Sequence, residues 1–182
     1  MNPKQTTRIS KFLSMVLRHR PETIGLTLDN QGWADVDELV QKAGESGRNI
    51  TPEMLDHVVE NNNKKRFAFN EDKTRIRASQ GHSINIDLGY EPAVPPEVLF
   101  HGTAQKFVGS IFAQGLQKRK RHHVHLSADK ATALTVGGRH GSPVIFEVQA
   151  GEMHRQGHKF FVSANGVWLT EEVPVAFLVK MP

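Results

Sequence analysis

Residues 51–79 read "TPEMLDHVVENNNKKRFAFNEDKTRIRAS" and set a helix directly against a hairpin. Thr51 is a capping residue and Pro52 suits the first helical position, so "ITPEMLDHVVENN" (50–62) predicts a helix. "RFAFN" and "TRIRA" then alternate with period two across "EDK", which predicts two paired strands. Working back from there, "WADVDELVQKAGESG" (33–47) predicts a second helix. Asp35 is its cap, Glu38 follows at capping-box spacing, and Gly44 and Gly47 can close it. "GLTLD" (25–29) alternates like a short strand. Ile9, Phe12, Leu13, Val16 and Leu17 recur at i, i+3, i+4, i+7 and i+8. They form the apolar face of a helix from about Thr7 to Arg20, stopped by Pro21. Helix, strand, helix, helix and hairpin is the order expected of a winged-helix unit, assigned to residues 1–84.

Winged helices suggest DNA reading, with the third helix in the major groove. Here that helix carries Glu53, Asp56 and Glu60 and meets no Lys or Arg before Lys64. Such a helix does not suit a phosphate-lined groove. The basic residues lie instead at the end of the first helix and in the hairpin. Residues 85–97, "NIDLGYEPAVPPE", are rich in turn formers and read as a linker or domain edge. The remaining residues, 98–182, change pattern. "VLFHGT" reads as a strand running into a Gly turn, "AQKFVGSIFAQG" as a helix and "HVHLS" as a strand. "ADKATALTVGG" is a helix entered through Ser127. "PVIFEVQA", "KFFVSANGVWLT" and "PVAFLVKM" are strands. The fold class expected is α+β, with a strand-dominated second lobe.

The 182 residues suffice for one ordinary domain or two small ones. Hydrophobic residues make up 38% and charged ones 23%, the balance of a globular chain and not a disordered one. The absence of cysteine excludes a disulfide framework, a thiolate metal site and a cysteine nucleophile, and fits a cytoplasmic protein. No apolar run approaches the length of a membrane span, and "MNPKQTTRIS" lacks the apolar core of a signal peptide. Residues 1–90 carry 13 basic and 12 acidic side chains and residues 91–182 carry 10 and 7, for a formal net charge of +4. That permits a polyanionic partner without demanding one. The ten histidines sit beside Arg, Gly and Ser, not at zinc-ligand spacings, so no metal is expected.

Four clusters carry chemistry. "LRHRP", "KKRF" and "IRASQGHS" bring Arg18, His19, Arg66, Arg77, His82 and Ser83 to a helix end and a hairpin that can fold back beside it. Guanidinium forks suit phosphate oxygens, and an imidazole can also exchange a proton. Each basic residue taken singly reads more readily as a solvated surface cation. "FHGT" (100–103) puts His101 and Thr103 on one face of a strand, with Gly102 allowing close approach of a ligand. "KRKRHHVHLSADKA" ends a basic run at Arg121, and Ser127 at a helix start offers backbone amides to an anion. "GGRHGSP" frames Arg139 and His140 with glycines but lacks Rossmann or P-loop spacing. There is no paired carboxylate and no nucleophile motif. The inventory suits a reaction whose substrate supplies the nucleophile while the protein stabilises phosphate charge.

With these residues assembled, the sequence resembles the RNA 2'-phosphotransferases, the family that includes enzymes removing the splice-junction 2'-phosphate from tRNA. The resemblance runs in order through "SKFLSMVLRHRPE", "LDNQGWADVDELV", "KKRFAF", "IRASQGHS", "LFHGTA", "HHVHLSAD", "GGRHGSPVIFEV" and "ANGVWLT". It implies a winged-helix lobe followed by an ADP-ribosyltransferase-like lobe that binds NAD without a Rossmann fold. The implied reaction has two steps. The RNA 2'-phosphate attacks the nicotinamide ribose and expels nicotinamide, and the adjacent ribose hydroxyl then attacks the phosphorus. The products are RNA with a 2'-hydroxyl and ADP-ribose 1'',2''-cyclic phosphate.

The resemblance assigns Arg18, His19, Arg66 and Arg121 to catalysis. His101, Gly102, Thr103, Ser127, Arg139 and His140 go to NAD, and Arg77, His82 and Ser83 to the RNA phosphate region. It implies two partners, NAD as co-substrate and a 2'-phosphorylated, tRNA-like RNA; the sequence itself marks no protein partner and no membrane. His19 has two roles open to it, proton transfer or phosphate binding alone. Arg20 reads as a surface cation. The alternative function is an ADP-ribosyltransferase acting on a nucleic-acid terminal phosphate or a protein acceptor. A non-catalytic nucleic-acid regulator is a third reading, disfavoured by the acidic third helix.

Overall fold

The computed structural model describes residues 1–62 and 64–182. The chain divides into two compact units, Met1–Gly89 and Tyr90–Pro182. The division falls inside the expected linker, but the linker residues are not loose. Asp87 N–H donates to Asn30 O in the first unit, and Ala93 N–H donates to Phe160 O in the second. No helix of the described residues is long and apolar enough to cross a membrane.

In unit 1, helix α1 spans Pro3–Arg18, starting four residues before the expected Thr7. Asn2 and Gln5 form a reciprocal capping box that supplies partners for the first amides and so extends the helix. Strand β1 (Ala34–Asp35) leads into α2 (Val36–Glu45), and α3 (Pro52–Glu60) precedes the hairpin β2 (Phe67–Phe69) and β3 (Arg75–Ala78). The three strands pair antiparallel in the order β1–β3–β2. The expected strand at "GLTLD" is absent. Pro21–Ile24 form a 3-10 turn, closed by Gly25 at φ 66°, and β1 lies nine residues beyond. Asp35 caps α2 by accepting from Glu38 N–H, as its spacing predicts. The reciprocal half of that box is missing, because the Glu38 carboxylate accepts from Thr27 N–H. Leu13, Val16, Leu17, Leu39, Leu55 and Ile76 are wholly or almost wholly buried in this unit's core.

In unit 2, β4 (Leu99–Ala104) is followed by α4 (Val108–Gln114), β5 (Leu116–Gln117), β6 (Val124–Leu126) and α5 (Lys130–Gly137). Then come β7 (Pro143–Val148), α6 (Ala150–Arg155), β8 (Phe160–Val162), β9 (Trp168–Thr170), β10 (Glu172–Val173) and β11 (Leu178–Lys180). Two three-stranded antiparallel sheets result, β11–β7–β4 and β6–β9–β8, with a small β10–β5 pair. A single bridge between Phe100 and Ser127 links β4 to the chain leaving β6. Phe146, Phe160, Leu99, Leu126 and Met153 fill this unit's own core.

Several expectations for unit 2 change: "KFFVSANGVWLT" holds two strands, β8 and β9, and Val175–Phe177 of "PVAFLVKM" form a 3-10 turn ahead of β11. "FHGT" is not a Gly turn, because β4 pairs with β7 continuously from Leu99 to Ala104. A Cβ on Gly102 would lie 1.6 Å from the Ala133 carbonyl oxygen, and one on Gly137 would lie 2.7 Å from Thr103 O. These glycines let α5 lie directly on the β4 backbone, so the room at Gly102 is already taken by the protein. Nor does Ser127 open α5. Asp129 is the cap, accepting from Thr132 N–H and Oγ1–H. The Ser127 N–H and carbonyl both bond to Phe100.

Candidate functional site

Each unit gathers its own cluster. In unit 1 the cluster grows from the C-terminus of α1, where the last carbonyls need donors and the helix dipole favours cations. His19 and Arg20 N–H both reach Met15 O, and Ser83 N–H reaches Arg18 O at 2.9 Å. The loop after β3 therefore closes this helix end. The same loop sets Ser83 Oγ 2.9 Å from His19 Nδ1. Arg18 is half-buried, with Nη2 3.4 Å from Arg66 O and its guanidinium carbon 5.8 Å from the Phe67 ring centroid.

Arg66 is presented by a turn in which Lys65 adopts φ 40°, a region that non-glycine residues enter at a cost. Ser79 ties the turn down twice: its Oγ–H donates to Lys65 O and its N–H donates to Arg66 O, while Lys65 N–H donates to Asn62 O. The Arg66 guanidinium donates to Asn62 Oδ1. The structure thus brings Arg18, His19, Arg66 and Ser83 into one neighbourhood.

The other unit 1 candidates differ. Arg77 stacks on Trp33, 4.4 Å from the ring centroid. His82 is only 3% exposed, so it packs within the loop while Ser83 stands on the loop surface. Arg20 is exposed and pairs with Glu22, as a surface cation should.

In unit 2 the cluster is built by strand pairing. Alternation along β4 turns Gly102 toward α5, so His101 and Thr103 share the opposite face. Thr103 is buried. His101 Nδ1 lies 3.1 Å from His125 O, and a carbonyl only accepts, so Nδ1 carries the proton. Burial, reinforced by the Arg121 charge, pushes the His101 imidazole below its usual range, against the raising effect of that hydrogen bond. His101 is therefore neutral at pH 7 with Nε2 left as an acceptor.

Arg121 donates from Nη1 to His125 Nδ1 at 3.3 Å. Its own pKa is lowered, first by loss of water around the guanidinium and then by the Arg139 charge, yet an arginine stays ionised. Arg139 and His140 sit exposed in the 3-10 turn Gly138–His140 after α5. Among the described residues no group of three or more His, Cys, Asp or Glu is arranged to hold a metal ion.

Sequence reasoning missed two supporting residues. His125 links Arg121 to His101, and Asn62 steadies Arg66. A signal for His125 was present. Val124 and Leu126 are the buried members of "HVHLS", so period two turns His125 away from the core. Nothing local marks Asn62.

Comparison with known proteins bears on what these clusters do. Residues 4–172 match the family described as "RNA 2'-phosphotransferase, Tpt1 / KptA family". A relative from Flavobacterium johnsoniae, named "Probable RNA 2'-phosphotransferase", is 57% identical over 178 residues, 98% of each chain. One of the same name from Pseudomonas aeruginosa is 57% identical over 179 residues, again 98% of each. One from Rhodopirellula baltica is 51% identical over 176 residues, 96% of each.

Proposed function

The chain belongs to the RNA 2'-phosphotransferase, Tpt1 / KptA family, and from that premise we propose that it transfers an internal RNA 2'-phosphate to NAD. The observation that carries this reading is the span of the match. Residues 4–172 run through both units, so both clusters fall inside it. The helix–strand–helix–helix–hairpin order of unit 1 supports a winged-helix lobe, and the two small sheets of unit 2 support an ADP-ribosyltransferase-like lobe.

In this reading the first step uses unit 2. NAD is a substrate, and its nicotinamide ribose meets His101, whose neutral Nε2 accepts from a ribose hydroxyl. Thr103, Arg121 and Arg139 supply further polar and cationic contacts for the ribose and diphosphate, with Ser127 and His140 beside them. A 2'-phosphate oxygen of the RNA attacks the anomeric carbon, the glycosidic bond breaks and nicotinamide leaves with its electron pair.

The second step draws on the unit 1 cluster. The 2''-hydroxyl of the ADP-ribose attacks phosphorus, losing its proton to solvent, and the bond to the RNA 2'-oxygen breaks. Arg18 and Arg66 hold the phosphate and stabilise the charge that builds on its oxygens. His19, hydrogen-bonded to Ser83, gives a proton to the departing RNA oxygen. RNA with a 2'-hydroxyl and ADP-ribose 1'',2''-cyclic phosphate are released.

The test is an incubation with a 2'-phosphorylated oligoribonucleotide and NAD. Nicotinamide release with loss of the RNA phosphate is expected. Folded protein that yields neither would refute the proposal. A stable ADP-ribosylated product without cyclic phosphate would instead favour transfer to a different acceptor.

A further inference from the structure

Unit 1 contains a groove of about 520 Å3 that the chemistry above does not use, apart from Arg66 at its end. One wall is α1, which contributes Thr6, Ser10, Lys11 and Ser14. The other is the C-terminal end of α3 and the chain after it, including Asn62, Lys64 and Arg66. Thr6, Ser10 and Ser14 are spaced four apart, so they lie in one row along the helix, and the next position in that row is Arg18. All four are half-buried. The eight helical steps from Thr6 to Ser14 span about 12 Å. That exceeds a single nucleotide step, which advances roughly 3.4 Å along a strand in a duplex.

The lining chemistry identifies the ligand class. Three cations line the groove and, among the described residues, no carboxylate does. The remaining polar groups are hydroxyls and amides, which bond to phosphate and sugar oxygens. Among the described residues no aromatic ring lines the groove to stack a base, and the one apolar residue is Val58. Serine and threonine are poorer helix formers than alanine, so propensity does not account for three of them in one row. Their small side chains keep the groove open.

We propose that this groove binds the sugar–phosphate backbone of the RNA next to the 2'-phosphorylated nucleotide, with Lys11 and Lys64 on flanking phosphates and the α1 hydroxyls on riboses. The proposal rests on the reading of the chain as an enzyme acting on RNA. It gives that reading a direction: the strand runs along α1 toward Arg18, and it is held without regard to base identity.

The experiment measures binding by fluorescence anisotropy, without NAD, of a labelled oligoribonucleotide of about ten residues bearing only 2'-hydroxyls, across a salt series. Lys11→Ala with Lys64→Ala should weaken binding roughly fivefold to tenfold and make the salt dependence shallower, by about 0.7 in log–log slope for each phosphate that is no longer neutralised. Arg8→Ala removes a cation of the same helix that does not line the groove, and should leave binding unchanged. An unaltered salt slope in the double variant would overturn the proposal, as would an equal loss in Arg8→Ala. Circular dichroism of each variant separates these outcomes from misfolding. Because the assay contains no NAD and no 2'-phosphate, failure of the transfer reaction and failure of the groove are read independently.

Discussion

The two units hold their basic and imidazole groups on different supports. In unit 1, Arg18 and His19 stand at a helix end and Arg66 on a turn, and main-chain carbonyls and loop hydroxyls fix them. Their charges sit where the helix dipole favours them. In unit 2, His101 and Arg121 are joined through His125 across strands, and burial keeps His101 neutral. Unit 1 offers cations for a phosphate, and unit 2 offers a neutral acceptor with a cation beside it. The contrast is between a site assembled from a helix end and loops and one assembled from packed backbones, where a single atom is decisive.

The sharpest way to break that contrast is Gly102→Ala. Its methyl would overlap the Ala133 main-chain carbonyl, which cannot swing aside as a side chain can, so α5 must leave β4. A loss of about 3 kcal/mol or more is expected in unit 2. Each unit carries one of the two tryptophans, Trp33 and Trp168, so single-tryptophan variants report on them separately in urea. Unchanged unfolding of Trp168 would show the packing to be looser than described.

Next in size are the reaction steps. Arg18→Ala should slow phosphorus attack by about 2–4 kcal/mol of barrier and let ADP-ribosylated RNA accumulate, whereas His101→Ala should lower nicotinamide release with no intermediate. Rapid-quench analysis of labelled RNA distinguishes them. Accumulation in both variants, or in neither, would erase the division of labour between the units.

Smaller again is Thr51→Ala, which removes the α3 cap bond to Met54 N–H and should cost unit 1 about 1 kcal/mol, leaving Trp168 unfolding unaltered. The smallest effect is that of pH on unit 2. His101 has a folded pKa below its unfolded value of about 6.5. Its contribution to stability is therefore present above that value and is lost as the pH falls from 6.5 through the depressed folded value. The burial-lowered His123 acts in the same direction. Urea midpoints followed by Trp168 should fall between pH 7.5 and 5.5, and a constant midpoint would place both imidazoles in water.

Much of unit 1 was legible because its determinants are local. The α1 periodicity, the Thr51 and Asp35 caps and the β2–β3 alternation each lie within a few residues of what they control. Two of the misjudged features were non-local. "GLTLD" has strand alternation but no strand pairs with it, because Ala34 and Asp35 take the place beside β3. Gly102 looked like a ligand-facing turn because a lone glycine in a strand has several explanations, and only the position of Ala133 selects one.

By itself, the order of motifs determined the family and the identity of the candidate residues, because residue types and spacings are inherited along the chain. The tertiary structure decided which way they face and what state they hold. It turned Gly102 toward α5, gave His101 its Nδ1 proton through the His125 carbonyl, buried His82 and raised Ser83 onto His19. The physical reason is that tautomer, burial and backbone proximity depend on atoms far away in sequence. No local pattern encodes how much water they exclude.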